Sequence, residues 1–133
     1  MSQYGKTAVT AVNLIKSHKF PEAEKAWNEA VTQFTNSESS RKKGCPRYAF
    51  LGLCATGWIK DIDQNNIEKP KSKNADYAIY AVKLLCNDHK LGENKSHWWR
   101  QIPNAPKTQN GQLAVVWALW QENMIDKEKA KTY

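Results

Sequence analysis

No apolar run approaches the roughly 18 residues that a bilayer-crossing helix needs, so no membrane partner is expected. The amino end lacks a basic segment followed by an unbroken apolar run, so no secretory leader is expected. Cysteine is scarce: there are three, an odd number at irregular spacing. That excludes a disulfide framework, and reduced thiols fit a cytoplasmic protein. Cys45, Cys54, Cys86, His18, His89 and His97 show no paired metal-ligand spacing, so no metal is expected. The glycine patterns that cradle phosphates in NTPases and dinucleotide-dependent dehydrogenases are absent, and no cofactor is expected. Asp61, Asp63 and Asn65 start like a calcium loop. Asn66 and Ser72 then stand where that loop needs glycine and glutamate, so calcium is set aside.

Acid is missing in two places. The stretch 41–47 holds Arg41, Lys42, Lys43 and Arg47 with no carboxylate, and 69–73 holds Lys69, Lys71 and Lys73 with none. The chain carries a net charge of +7, and outside these stretches 13 basic residues meet 13 acidic ones. The excess charge is therefore local, which is the footprint of a site for a polyanion.

What is present is helical periodicity. The stretch from Ser40 to Ile59 is polar and basic, then apolar with Ala49, Phe50, Leu53 and Cys54 on one face. Gly44 and Pro46 suit its start, and Gly57 suits the left-handed position that ends a helix. A helix from about Pro46 to Thr56 is expected, with Trp58 and Ile59 folded back on it. Lys42-Lys43-Gly44-Cys45-Pro46, followed by Ala49-Phe50-Leu51-Gly52-Leu53-Cys54 and Gly57, resembles a motif of small bacterial proteins in a domain-of-unknown-function family. The resemblance extends to Tyr4-Gly5 and Asn110-Gly111-Gln112. It implies a small bacterial intracellular protein, and it brings no activity and no site residue with it.

Further helices are expected over Tyr4–Ser17, 21–35, from the Asn74 cap through Leu85, over Asn94–Ile102 and over Gln112–Glu122. Residues 35–44 read as a loop, and 126–133 as a charged tail that frays. The two halves repeat. Ala8, Ala11 and Val12 match Ala78, Ala81 and Val82; Trp27 matches Trp98; Gly57 and Ile59 match Asn123 and Ile125. The expected fold is all-α, with about six helices in two pseudo-symmetric three-helix repeats. The first spans 1–67, a linker 68–73, the second 74–126, and the tail 127–133, in one compact domain overall.

The function expected is binding without catalysis. Arg41, Lys42, Lys43 and Arg47 at a helix start, with Lys69, Lys71 and Lys73, would hold an anionic partner, nucleic acid or an acidic protein. Two alternatives stay open. Trp98 and Trp99 are adjacent and cannot both face one core from a regular helix, so one of them, with Tyr48, would mark a protein interface. Cys45, at a helix start among cations, would be a thiol nucleophile with a histidine as base. Monomer and homodimer are both open.

Overall fold

The computed structural model describes residues 1–63 and 67–132. It is all-helical. Most helices begin at a short polar side chain that accepts from a first-turn N–H; α2, α4 and α7 start without one.

Helix α1 (Gln3–Lys16) is capped by Ser2, whose hydroxyl accepts from the Gly5 N–H at 3.2 Å. It buries Tyr4, Ala8, Ala11, Val12 and Ile15 on one face. The chain leaves through His18 at φ 64°, whose N–H bonds the Ile15 carbonyl at 3.0 Å. Helix α2 (Ala23–Val31) packs on α1 with Ala26, Trp27, Ala30 and Val31 buried.

The stretch expected as a loop contains a short helix, α3 (Glu38–Lys42), started by Ser37 accepting from the Ser40 N–H at 3.3 Å. Helix α4 (Gly44–Cys54) follows at once and buries seven residues from Pro46 to Cys54. Pro46 is its third residue rather than its first, a place where a missing N–H still leaves no bond unmade. Gly57 takes φ 81°, and Trp58 and Ile59 are buried, as expected.

Helix α5 (Lys73–Asn87) is started by Ser72, not by Asn74. Asn74 Oδ1 instead accepts from Gln112 Nε2 at 2.8 Å. A 3-10 turn (His89–Glu93) leads into α6 (Lys95–Arg100), which Asn94 caps by accepting from the His97 N–H at 3.1 Å. Helix α7 (Gln112–Gln121) starts after Gly111 at φ 96° and is followed by Asn123 at φ 58°. The tail is not frayed. Asp126 caps α8 (Lys127–Lys131), Ala130 is buried, and the Lys127 ammonium lies 4.5 Å from the Trp120 ring centroid.

The first helix of the chain packs on the late helix α7, and α5 packs back on α4, with α4 and α7 touching at the centre. Both crossings are close because small residues meet there. A methyl group on Gly5 would sit 3.0 Å from Ala118 Cβ, and one on Gly52 would sit 2.5 Å from Ala75 Cβ. Beside them Ile59 and Ile125 form an isolated antiparallel bridge, with Lys60 N–H to Met124 O at 2.8 Å and Asp126 N–H to Trp58 O at 2.6 Å. Trp27 and Phe50 fill the core with ring centroids 5.2 Å apart.

Candidate functional site

The junction of α3 and α4 carries the excess charge. Lys43 is both the last residue of α3's cap and the N-cap of α4. A lysine has no acceptor, so α4 starts with no side-chain cap. The Lys43 N–H bonds Ser40 O and Pro46 has no N–H, so the half-buried Gly44 and Cys45 supply the N–H groups at the positive end of the helix dipole that no side chain caps. The four expected cations do not act together there. Arg41 turns back to the end of α2, donating from Nε to Thr35 O at 2.8 Å and from Nη2 to Thr32 O at 3.5 Å. It closes the carbonyl end of that helix, a structural task. Lys42 pairs with Glu38 one turn earlier at 2.7 Å, in the open.

Lys43 and Arg47 remain. The Lys43 ammonium lies 5.6 Å from the Tyr4 ring centroid, and Tyr4 itself donates to Ser40 O at 3.1 Å. The Arg47 guanidinium lies 5.1 Å from the Tyr48 ring centroid. Arg47 is half-buried, and its Nε is sealed from solvent with no hydrogen-bond partner. Arg47 stands in the first turn of α4. A planar cation without a carboxylate partner among the described residues, in the first turn of a helix with no side-chain cap, is suited to an oxyanion.

The second basic stretch is divided. Lys69 pairs with Asp76. Lys71 and Lys73 are exposed, Lys73 as the first residue of α5. Lys69 and Lys71 line a groove along with Tyr48, whereas Lys73 lines a different, smaller hollow beside Tyr77 and Tyr80.

The tryptophan expectation is corrected. Both Trp98 and Trp99 are buried, at 0% and 3% exposure. Trp98 Nε1 donates to Ala81 O at 3.2 Å and its ring meets Trp117 edge-on, while Trp99 Nε1 donates to Pro106 O at 2.7 Å and meets Tyr77 edge-on. Two adjacent residues do face different ways on α6. The helix is short enough for α5 and α7 to cover Trp98, while Tyr77 of α5 and the loop after α6 cover Trp99.

The thiols are all free. Burial pushes the Cys54 thiol far up, and burial raises Cys86 despite the nearby Lys131 and Lys127. Both are poor nucleophiles. Among the described residues no three His, Cys, Asp or Glu side chains are grouped to hold a metal. The calcium-like spacing from Asp61 runs through residues 64–66, which lie outside the described residues. No helix among the described residues is long and apolar enough to cross a membrane.

Residues 1–126 match a family described as a family of unknown function (DUF6979). No curated protein and no solved structure matches the chain.

Proposed function

The chain belongs to the DUF6979 family, and since that family brings no activity with it, we propose from the α4 start that the protein is a non-enzymatic binder of nucleic acid. The observation that carries this reading is Arg47, a half-buried guanidinium with no carboxylate partner among the described residues, in the first turn of a helix with no side-chain cap. Lys43 and Arg47 contact a phosphate there, with Tyr4 and Tyr48 as the flanking aromatics. The apolar alternative has less to stand on. Among the described residues, Met1 and Tyr80 are the exposed large hydrophobics, and a protein interface needs a broader apolar centre. Three unbridged thiols are consistent with work in a reducing cytoplasm.

The reading includes a duplication: α1, α2 and α4 form one unit, and α5, α6 and α7 form the other. Sequence-matched residues meet as a local twofold axis requires. Ile59 bridges its counterpart Ile125, and the two flanking hydrogen bonds exchange under the same match. The Gly5–Ala118 and Ala75–Gly52 crossings also exchange, with glycine and alanine swapped. Helix α3 has no helical counterpart before α7. The basic junction is thus an addition to one copy, which supports a role beyond architecture.

The test is fluorescence anisotropy of labelled duplex and single-stranded DNA and RNA at low and physiological salt. The wild-type protein is compared with Lys43→Ala/Arg47→Gln, which leaves the structural Arg41 in place. The log–log salt slope should fall by about 1 for each phosphate contact removed. Absence of binding at low salt, or equal binding by the folded variant, refutes the reading.

A further inference from the structure

The groove that Tyr48, Lys69 and Lys71 line has a volume of about 1270 Å³ and the opposite character from the α4 start. It runs from the end of α1 past the start of α2 and the outer face of α4 to the segments at 61–63 and 67–71. Its floor is apolar: Ile15, Leu51 and Ile62, each 8% exposed, with half-buried Tyr48 and Ile67 beside them. Its rim carries five carboxylates, from Glu22, Glu24, Asp61, Asp63 and Glu68, against three ammonium groups, from Lys16, Lys69 and Lys71. Groups of both signs are already engaged: Glu22 pairs with Lys25 at 3.2 Å, Asp63 is engaged too, and two of the three cations are taken. Lys16 Nζ lies 3.6 Å from Asp61 Oδ2, and Lys69 pairs with Asp76, which is not part of the groove lining. Glu24 and Glu68 are exposed and have no ion-pair partner among the described residues. In a chain of net charge +7, this groove leaves Glu24 and Glu68 over an apolar floor against Lys71, the lining cation without an ion pair among the described residues.

Charge complementarity therefore selects a cation with an apolar body. The volume exceeds the roughly 300–1,000 Å³ of most small-molecule sites, which favours a length of chain. We propose that this groove docks a basic peptide segment of a partner protein. An apolar side chain of the segment lies on Ile15, Leu51 and Ile62, and its Lys or Arg side chains reach Glu24 and Glu68. The groove shares Tyr48 with the phosphate site at α4, whose chemistry is opposite, and Glu24 and Glu68 lie outside that site.

The probe is a fluorescein-labelled short peptide of alternating lysine and leucine, with a glutamate–leucine peptide as control, titrated with the full chain. The protein's net charge repels the lysine peptide, so binding reports a local acidic site. Glu24→Lys/Glu68→Lys should weaken binding by about tenfold or more. Glu93→Lys/Glu122→Lys, an equal charge change at exposed acids outside the groove, should leave it within about threefold. Glu24 lies in the first turn of α2, so Glu68→Lys alone serves as a second variant if the double one misfolds. Equal loss in both double variants, no binding of the lysine peptide, or equal binding of the glutamate peptide overturns the proposal. So does a concentration-dependent dimer in sedimentation that the Glu68→Lys variant abolishes, because the groove is then taken by a second copy of the chain.

Discussion

Gly52→Ala is the most informative single change in the core. The new methyl group would lie 2.5 Å from Ala75 Cβ and 2.8 Å from Ala75 Cα. Relaxed carbon contacts need about 3.5–4.0 Å, so α4 and α5 must part by about 1 Å. Overpacking of this kind costs roughly 1–3 kcal/mol. Alanine returns up to about 1 kcal/mol through helix propensity, leaving a net loss of roughly 0–2 kcal/mol. Ala75→Gly alone removes a buried methyl group, about 0.8 kcal/mol, and up to about 1 kcal/mol of propensity. Under the proposed duplication, the double variant Gly52→Ala/Ala75→Gly places the glycine on the first helix of its unit, α5, and the alanine on the helix it crosses, α4. That is the arrangement already present at Gly5 and Ala118. Its overlap is gone and its propensity changes offset, so it should lie within about 0.5 kcal/mol of wild type. Urea unfolding followed by tryptophan fluorescence measures all four proteins, and unchanged m-values certify the comparison. A double variant whose loss equals the sum of the single losses would refute both the contact and the exchange of the two crossings.

Two further predictions concern the first half of the chain. The folded-state pKa of Cys54 is raised by burial, so above the unfolded value near 9 the unfolded state loses a proton that the native state keeps. Stability is unaffected by this group below that pH and falls above it, by up to about 1.4 kcal/mol per pH unit; Cys54→Ala should flatten this limb of a pH-dependent urea series. Arg41→Ala removes the bonds to Thr35 O and Thr32 O and should cost roughly 1–3 kcal/mol. If Arg41 served the anion site instead, the same variant would lose nucleic-acid binding at unchanged stability.

How much of this was legible depended on length and on locality. The faces of α1, α2, α4, α5 and α7 repeat often enough for periodicity to reveal them. Helices α3 and α8 have five residues each, too few for a period, and what specifies them is a single cap, Ser37 or Asp126. Capping residues occur in many loops, so they were weak signs in advance. The basic stretch was legible as charge but not as a set of partners. Arg41 is claimed by carbonyls at the end of α2 and Lys69 by Asp76, and such pairings appear only when the chain is folded. Trp98 and Trp99 misled because cover from a following loop leaves no trace in the pattern of α6. The acidic groove was missed because its residues come from well-separated stretches, none of them acidic enough to stand out against a basic chain.

The crossing of α1 with α7 has a consequence during synthesis. Gly5 meets Ala118, so the first helix leaves the ribosome about a hundred residues before the surface it will cover. At roughly 5–20 residues per second that is an interval of about 5–20 s. For that time α2 and then α4 are at hand, but the part of α1 that α7 covers in the folded chain has no cover. A ribosome stalled before α7 therefore presents the α7-facing side of α1 uncovered, although every other helix that packs around it has been made.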